Sequence, residues 1–421
     1  MKRRLDYKWV TVALCILMVM ISLGFVSSTK SLFPDEIAKA LGTERSLVSV
    51  YESMRYIATA VVNLFFGFLI IKFKPKLLII AGFLSLIGAV LIMGIASSLW
   101  ALYIAGFLMG VGFSWTSTTM VGYVVGVWCK ENKGTVMGVI LASNGIGGAI
   151  AIQAVGSYID PSVTGSYRDA YFMIAAVLAV AAAVLLIFFK NTPKQVASAP
   201  EIKEQKKKKK KESWVGIPFS KAYKRAFFWG ALTCIFCSGL IIQGTNGIVA
   251  MHLKDVGIDY GVVKGMLSFG SLLLAVAKFS VGFIYDRFGI RIVSSFCTAM
   301  AIISSFLLAL TGIGSGGIAL AVIYTIVAQL AIPLETIMLP LYAADLFGEK
   351  SYANVLGIFV SVNTAGYAIG APVMNICYDL TGSYTPALFA VGAVMAAIFI
   401  LLQFVITAAH KERRRIESTS I

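Results

Sequence analysis

The residues of this sequence with chemistry to offer are few, and two of them stand in apolar surroundings. Lys278 lies in the run Ala277-Lys278-Phe279-Ser280-Val281-Gly282, and Glu335 follows Pro333-Leu334. A lysine near the centre of a bilayer costs about 2.5–3.5 kcal/mol on insertion scales, so it persists only beside a partner, a wet cavity or a ligand. Its ammonium is a point charge with three donors, suited to an anion and less selective in geometry than a guanidinium. Glu335 is either its counter-charge or a carboxyl that takes up and releases a proton. Glu52 and Arg55, three residues apart, share a helical face and can pair with each other. Asn63, Asn363, Gln243, Asn246 and Tyr324 are neutral polar groups in apolar stretches, and Lys30 follows the first such stretch. Each amide can serve a ligand or a neighbouring helix equally well.

Other chemistries find little support. The sequence holds no phosphate-binding glycine loop, no spacing of metal ligands and no nucleophile with a base beside it. Five of its six cysteines (Cys15, Cys234, Cys237, Cys297 and Cys377) lie in apolar runs, where a thiol behaves as a small hydrophobe. Neither a cofactor, a metal nor an enzymatic activity is expected.

The elements that must position these groups are membrane spans. Hydrophobic residues make up 58% of the 421 and charged residues 13%, against roughly 45–50% and 25% in an ordinary globular chain. Mean hydropathy is +0.86, too high for a soluble particle of this size. About 20 apolar residues cross the ~30 Å hydrocarbon core as a helix. Twelve such stretches are predicted, near 9–29, 49–71, 77–97, 99–127, 134–159, 168–189, 226–250, 261–285, 290–311, 316–345, 352–377 and 385–408. The first is expected to be retained as a span and not removed as a signal peptide. Clustered glycines, such as Gly106, Gly110 and Gly112 or Gly145, Gly147 and Gly148, suit close helix packing.

The formal net charge of +16 is concentrated in the connectors and in residues 206–211, all lysine. Taking both termini and every second connector as one side places 28 of the 36 Lys and Arg there. Both termini are therefore expected in the cytoplasm of a multi-pass plasma-membrane protein. Residues 190–225 read as a solvated basic linker near anionic headgroups and not as a nucleic-acid site. They separate a six-span bundle over 1–189 from a second over 226–421, which ends in a basic tail.

The halves repeat each other. A shift of 219 superimposes Gly138, Asn144, Gly147 and Asp160 on Gly357, Asn363, Gly366 and Asp379. A shift of 215 lays GFLIIKFKPK at 67–76 on GFIYDRFGIR at 282–291 and pairs Asn63 with Lys278. Two six-span halves imply a pseudo-twofold axis with a site near the midplane.

Gly282-x-x-x-Asp286-Arg287-x-Gly289-x-Arg291, between spans 8 and 9, resembles the cytoplasmic loop motif of the major facilitator superfamily. In the first half Ile71 and Lys74 replace its Asp and second Gly, so the resemblance implies an acidic latch of Asp286, Arg287 and Arg291 in the second half. Span 8 is similar to that of the oxalate–formate antiporter and the monocarboxylate porters, where a cation four residues before the motif glycine binds substrate carboxylate; here it is Lys278. Leu339-Pro340 with Asp345-Leu346-Phe347-Gly348 is also similar to the antiporter, and Lys30 resembles a lysine at the outer end of span 1 in the porters. The antiporter's second cation falls on Asn363, and the porters' span 8 aspartate falls on Leu274.

The fold expected is thus all-α, with twelve transmembrane helices in two pseudo-symmetric bundles. The function expected is secondary transport of small organic anions, above all monocarboxylates, by alternating access in a monomer. Lys278 would draw the anion, with Asn63, Asn363, Gln243, Asn246, Tyr324 and Lys30 supplying further contacts. Glu335 is the candidate for proton coupling, and Glu52 with Arg55 for an outer gate. Symport and anion exchange both fit. Two rival readings are a multidrug or cation exporter of the same fold and a non-transporting receptor or channel.

Overall fold

A computed structural model describes residues 7–128, 133–160, 162–191, 216–312 and 316–419. The lysine run at 206–211 and the first six residues lie outside these ranges. Eleven helices among the described residues are long and apolar enough to cross a membrane. Hydrocarbon offers the backbone no partners, so each apolar segment closes its own hydrogen bonds as helix. The expected second span is helical as well, as α3 (Arg45–Leu64) and α4 (Phe66–Lys72) with a break at Phe65. It falls short on apolarity because Arg45, Glu52 and Arg55 all lie within its first segment.

Contacts divide the chain into two units, the first being Met1–Lys203 with Asp259–Ala275. It contains α1 (Tyr7–Val19), prolonged by a π-helical stretch at Met20–Ser27, and the short α2 (Pro34–Leu41). After α3 and α4 come α5 (Pro75–Ile95), α6 (Leu99–Thr116), α7 (Thr118–Trp128), α8 (Lys133–Gly156) and α9 (Tyr167–Phe188). Pro75 starts α5 at a position where its missing N–H is no loss, and Ser98 caps α6 by accepting from the Ala101 N–H at 3.4 Å.

Glycines set the spacing inside this unit. A Cβ on Gly24 would stand 2.6 Å from the Gly147 carbonyl carbon, so the π-helical stretch and α8 meet backbone to backbone. A Cβ on Gly106 or Gly110 would run into the carbonyl oxygens of Tyr51 and Arg55, respectively. Thr59 reinforces that seam, its hydroxyl lying 3.0 Å from the Gly110 carbonyl and 2.9 Å from that of Arg55. Gly110→Val is accordingly expected to lower the yield of folded protein in detergent. Overpacking typically costs about 1–3 kcal/mol, and here the obstacle is a backbone carbonyl that cannot change rotamer. Gel-filtration monodispersity is the measurement.

The second unit is Glu204–Ile258 with Val276–Ile421. It contains α10 (Phe219–Ala222), α11 (Ala226–Asp255), the second part of α12 (Tyr260–Leu310), α16 (Tyr352–Thr381) and α17 (Thr385–Thr419). The span between α12 and α16 is discontinuous: α13 (Gly317–Ala331), α14 (Pro333–Thr336), α15 (Met338–Tyr342) and a π-helical turn at Ala343–Phe347. Pro333 and Pro340 supply no N–H to the helix ladder, which is the local cause of the breaks.

Expected spans 8 and 9 run together as α12, with one non-helical residue, Gly289, at φ 78° and ψ 179°. This is the second glycine of the loop motif, and only glycine takes that conformation without strain. Gly289→Ala is expected to lower thermal stability by about 1–3 kcal/mol, read as a downward shift in a thermal melt of the purified protein.

Candidate functional site

In the first unit the charged groups converge on α3. Arg55 donates to Glu52 Oε2 at 2.6 Å, and Lys30 Nζ approaches the same oxygen at 3.7 Å. Glu52 and Arg55 are each 6% exposed. The guanidinium lies over Tyr56, 4.1 Å from the ring centroid, and 5.2 Å from that of Phe113 on α6. The i, i+3 pair read from the sequence therefore exists and takes Lys30 as a third member. Arg55 keeps a buried Nε without a hydrogen-bond acceptor. The seam of Gly106 and Gly110 fixes the two turns of α3 on either side of Glu52, which is how small residues on one helix place charges on another.

A second ionic group, which sequence reasoning missed, surrounds α2. Asp35 pairs with Arg45 and with Lys39 at 2.8 Å, and Lys39 also reaches Glu36 at 3.6 Å. Asp35 and Glu36 are both buried. Burial works against the charge on Lys39, but Asp35 and then Glu36 outweigh it, so its pKa stands above the ordinary lysine value. The signal was present in the acidic first turn after Pro34, with Lys four residues on, but a charged connector reads as solvated by default.

Asn63 sits half-buried in the last turn of α3, just before the Phe65 break, with a buried Oδ1 that accepts no hydrogen bond. Asn144 on α8, the repeat counterpart of Asn363, accepts from Ser28 Oγ at 3.4 Å.

In the second unit Lys278 and Glu335 lie within Coulombic reach of each other. Lys278 is half-buried, in the part of α12 that belongs to this unit, and Glu335 is 5% exposed in α14. Asn363 on α16 is buried and donates through Nδ2 to the Glu335 carbonyl at 3.5 Å. Its Oδ1 accepts no hydrogen bond and rests against Gly239 of α11, where a Cβ would come within 2.6 Å. Two of the residues singled out in the sequence, Glu335 and Asn363, thus meet at the break of one span, and the charge of Glu335 is felt at Lys278. A cation, an acid and an amide beside an interrupted helix are the parts needed to hold a small anion and to exchange a proton with it.

Asn246 and Tyr324 meet elsewhere in the same unit. They line a cavity of about 20 Å³ with Thr245, Ser304 and Ser305, between α11, α12 and α13. That volume holds about one water, so the space is too small for an organic anion. Gln243 lies one turn before Asn246 on α11, half-buried. Arg291 donates to Thr407 Oγ1 at 2.8 Å, and Arg287 is exposed with its guanidinium 5.5 Å from the Phe288 ring centroid. The side chain of Asp286 lies outside the described residues.

These helices and breaks define an α-helical, multi-pass membrane protein. The chain belongs to the Major Facilitator Superfamily, whose family model matches residues 12–342. Among solved structures it is similar to the nucleoside transporter NupG, with a TM-score of 0.76 at 15% identity, covering 96% of this chain and 100% of that one. It is also similar to a POT family transporter in complex with a thioalcohol-conjugated peptide, with a TM-score of 0.73 at 12% identity over 95% and 96% of the two chains. The fucose:proton symporter FucP of E. coli aligns with a TM-score of 0.55 at 17% identity over 95% and 99%. Among curated proteins, none matches the chain in sequence.

Proposed function

We propose that this transporter moves small organic anions, most of all monocarboxylates, by alternating access of two six-helix bundles in the plasma membrane. The observation that carries the reading is Lys278, a cation set in an apolar span within electrostatic reach of Glu335, whose carbonyl Asn363 bonds. One cation among neutral amides suits a monoanion better than a dianion, because a second negative charge would find no partner. Asn63, Asn363, Gln243 and Lys30 supply further polar contacts in this reading; Asn246 and Tyr324 act by supporting α11 and α13. Glu335 answers the substrate charge by giving up or accepting a proton, which makes proton symport one form of the cycle and anion exchange the other. Asp286, Arg287 and Arg291 steady one conformer from the cytoplasmic side, where both termini also lie, and Glu52 with Arg55 closes the outer side. The working unit is a monomer.

Structures similar in fold belong to a nucleoside transporter, a POT family transporter in complex with a conjugated peptide and a fucose:proton symporter, so the scaffold leaves the choice of cargo to side chains such as these. Counterflow in proteoliposomes tests the proposal. A panel of monocarboxylates, dicarboxylates and lipophilic cations is offered at pH 5.5 and 7.5. Exchange confined to monocarboxylates is the expected result, with Glu335→Gln flattening the pH dependence. Export of lipophilic cations that disappears in Glu335→Gln overturns the proposal in favour of a cation exporter. Ligand-induced thermal stabilisation without any counterflow overturns it in favour of a receptor.

A further inference from the structure

A cavity in the second unit lies far along the chain from Lys278, at the ends of α11 and α17. It measures about 690 Å³, and its lining includes Arg225, Phe227, Ala408, Lys411, Arg414 and Arg415. Glu412 also lines it, paired with Arg225. Four cations against one carboxylate leave a net positive pocket. Lys411, Arg414 and Arg415 are exposed, Arg225 is half-buried, and Phe227 and Ala408 give the pocket an apolar side.

Its level relative to the bilayer follows from two features. α17 has 35 residues, about 52 Å at 1.5 Å per residue, against a hydrocarbon core of ~30 Å. Its charged last turns therefore extend past the apolar layer, and the pocket lies where they leave it. Beside it, exposed Trp229 donates from Nε1 to the Tyr223 carbonyl at 3.0 Å, and Tyr223 is exposed as well. Exposed Trp and Tyr at a span end mark headgroup depth. His410, one residue before Lys411, bonds Asp345 at 2.8 Å and fixes α17 to the π-helical turn of the broken span. The basic residues are thus held on a fixed surface and not on a loose tail.

We infer that this pocket binds the phosphate headgroup of an anionic phospholipid, the acyl chains running along Phe227 and Ala408. A soluble phosphate would use the cations alone. A lipid uses the cations and the apolar side together, and it is supplied at the depth where both occur.

Native mass spectrometry of the full-length protein tests this, after exchange into a detergent mixture of phosphatidylglycerol and phosphatidylcholine. Selective retention of phosphatidylglycerol is expected. The triple variant Lys411→Gln, Arg414→Gln, Arg415→Gln should reduce it by at least about tenfold, as surface attraction falls with each cation removed. The control Lys221→Gln, Lys224→Gln removes nearby exposed charges outside the pocket and should leave retention unchanged. Inorganic phosphate at millimolar concentration should not displace the lipid. Equal retention by the triple variant, equal retention of phosphatidylcholine, or an equal loss in the control each overturns the inference. Displacement by inorganic phosphate overturns it in favour of a soluble ligand. Because all substitutions lie on exposed side chains, unchanged melting temperatures confirm that folding is not what is being read.

Discussion

Lys278→Ala is expected to lose carboxylate uptake by roughly 30- to 4000-fold, while the protein remains folded and monodisperse. The range follows from removing the cation proposed to pair with the substrate carboxylate, about 2–5 kcal/mol for truncating one partner of such a pair, at tenfold per 1.4 kcal/mol. Lys278→Arg keeps the charge but replaces a compact ammonium with a planar fork, so partial uptake with altered preference among carboxylates is the expected result. The neighbouring Glu335 makes a double variant informative. If Lys278 served only to neutralise that acid, Lys278→Ala with Glu335→Gln would restore uptake as well as stability. The proposal expects stability to return and uptake to stay lost, a coupling that a double-mutant cycle reads directly. Uptake by Lys278→Ala at the wild-type rate would end the case for the site.

Arg55→Ala should be the most destabilising change among the charged residues of the first unit. Glu52 would be left buried with Lys30 at 3.7 Å as its remaining cation, and breaking a buried pair from one side typically costs about 3–5 kcal/mol. The guanidinium's contacts with Tyr56 and Phe113 would go too. Arg55→Met with Glu52→Gln keeps the volume and removes both charges, so it should recover most of the lost stability. Thermal melts followed by gel filtration separate the outcomes. A single variant as stable as wild type would mean that Glu52 is solvated, contrary to its burial.

Much of the fold could be read from hydropathy because hydrocarbon leaves the backbone few choices. The span containing Glu52 and Arg55 was placed by length even though its charges keep it below the apolarity of the others. The break around Pro333 and the left-handed backbone at Gly289 came only with the structure, although both residue types account for them. The inward faces did not. A helix that is apolar all round has no polar stripe to say which side meets its neighbours. Asn363, facing Glu335, and Asn246, facing a water-sized cavity, looked alike in sequence. Lys30 was read as a ligand contact, and only the folded chain shows its ammonium beside Glu52. The α2 group escaped for the opposite reason, since connectors rich in charge give no local sign of being covered.

The contact of Gly106 and Gly110 with the Tyr51 and Arg55 carbonyls has a mechanical consequence. Two main chains touching at successive turns act as a keyed joint. If α6 slid by one residue, a side chain would be driven into those oxygens, so α3 and α6 have one register available to them. Any rearrangement in the working cycle must carry the two helices as a single piece, and a disulfide engineered across that seam should leave turnover untouched.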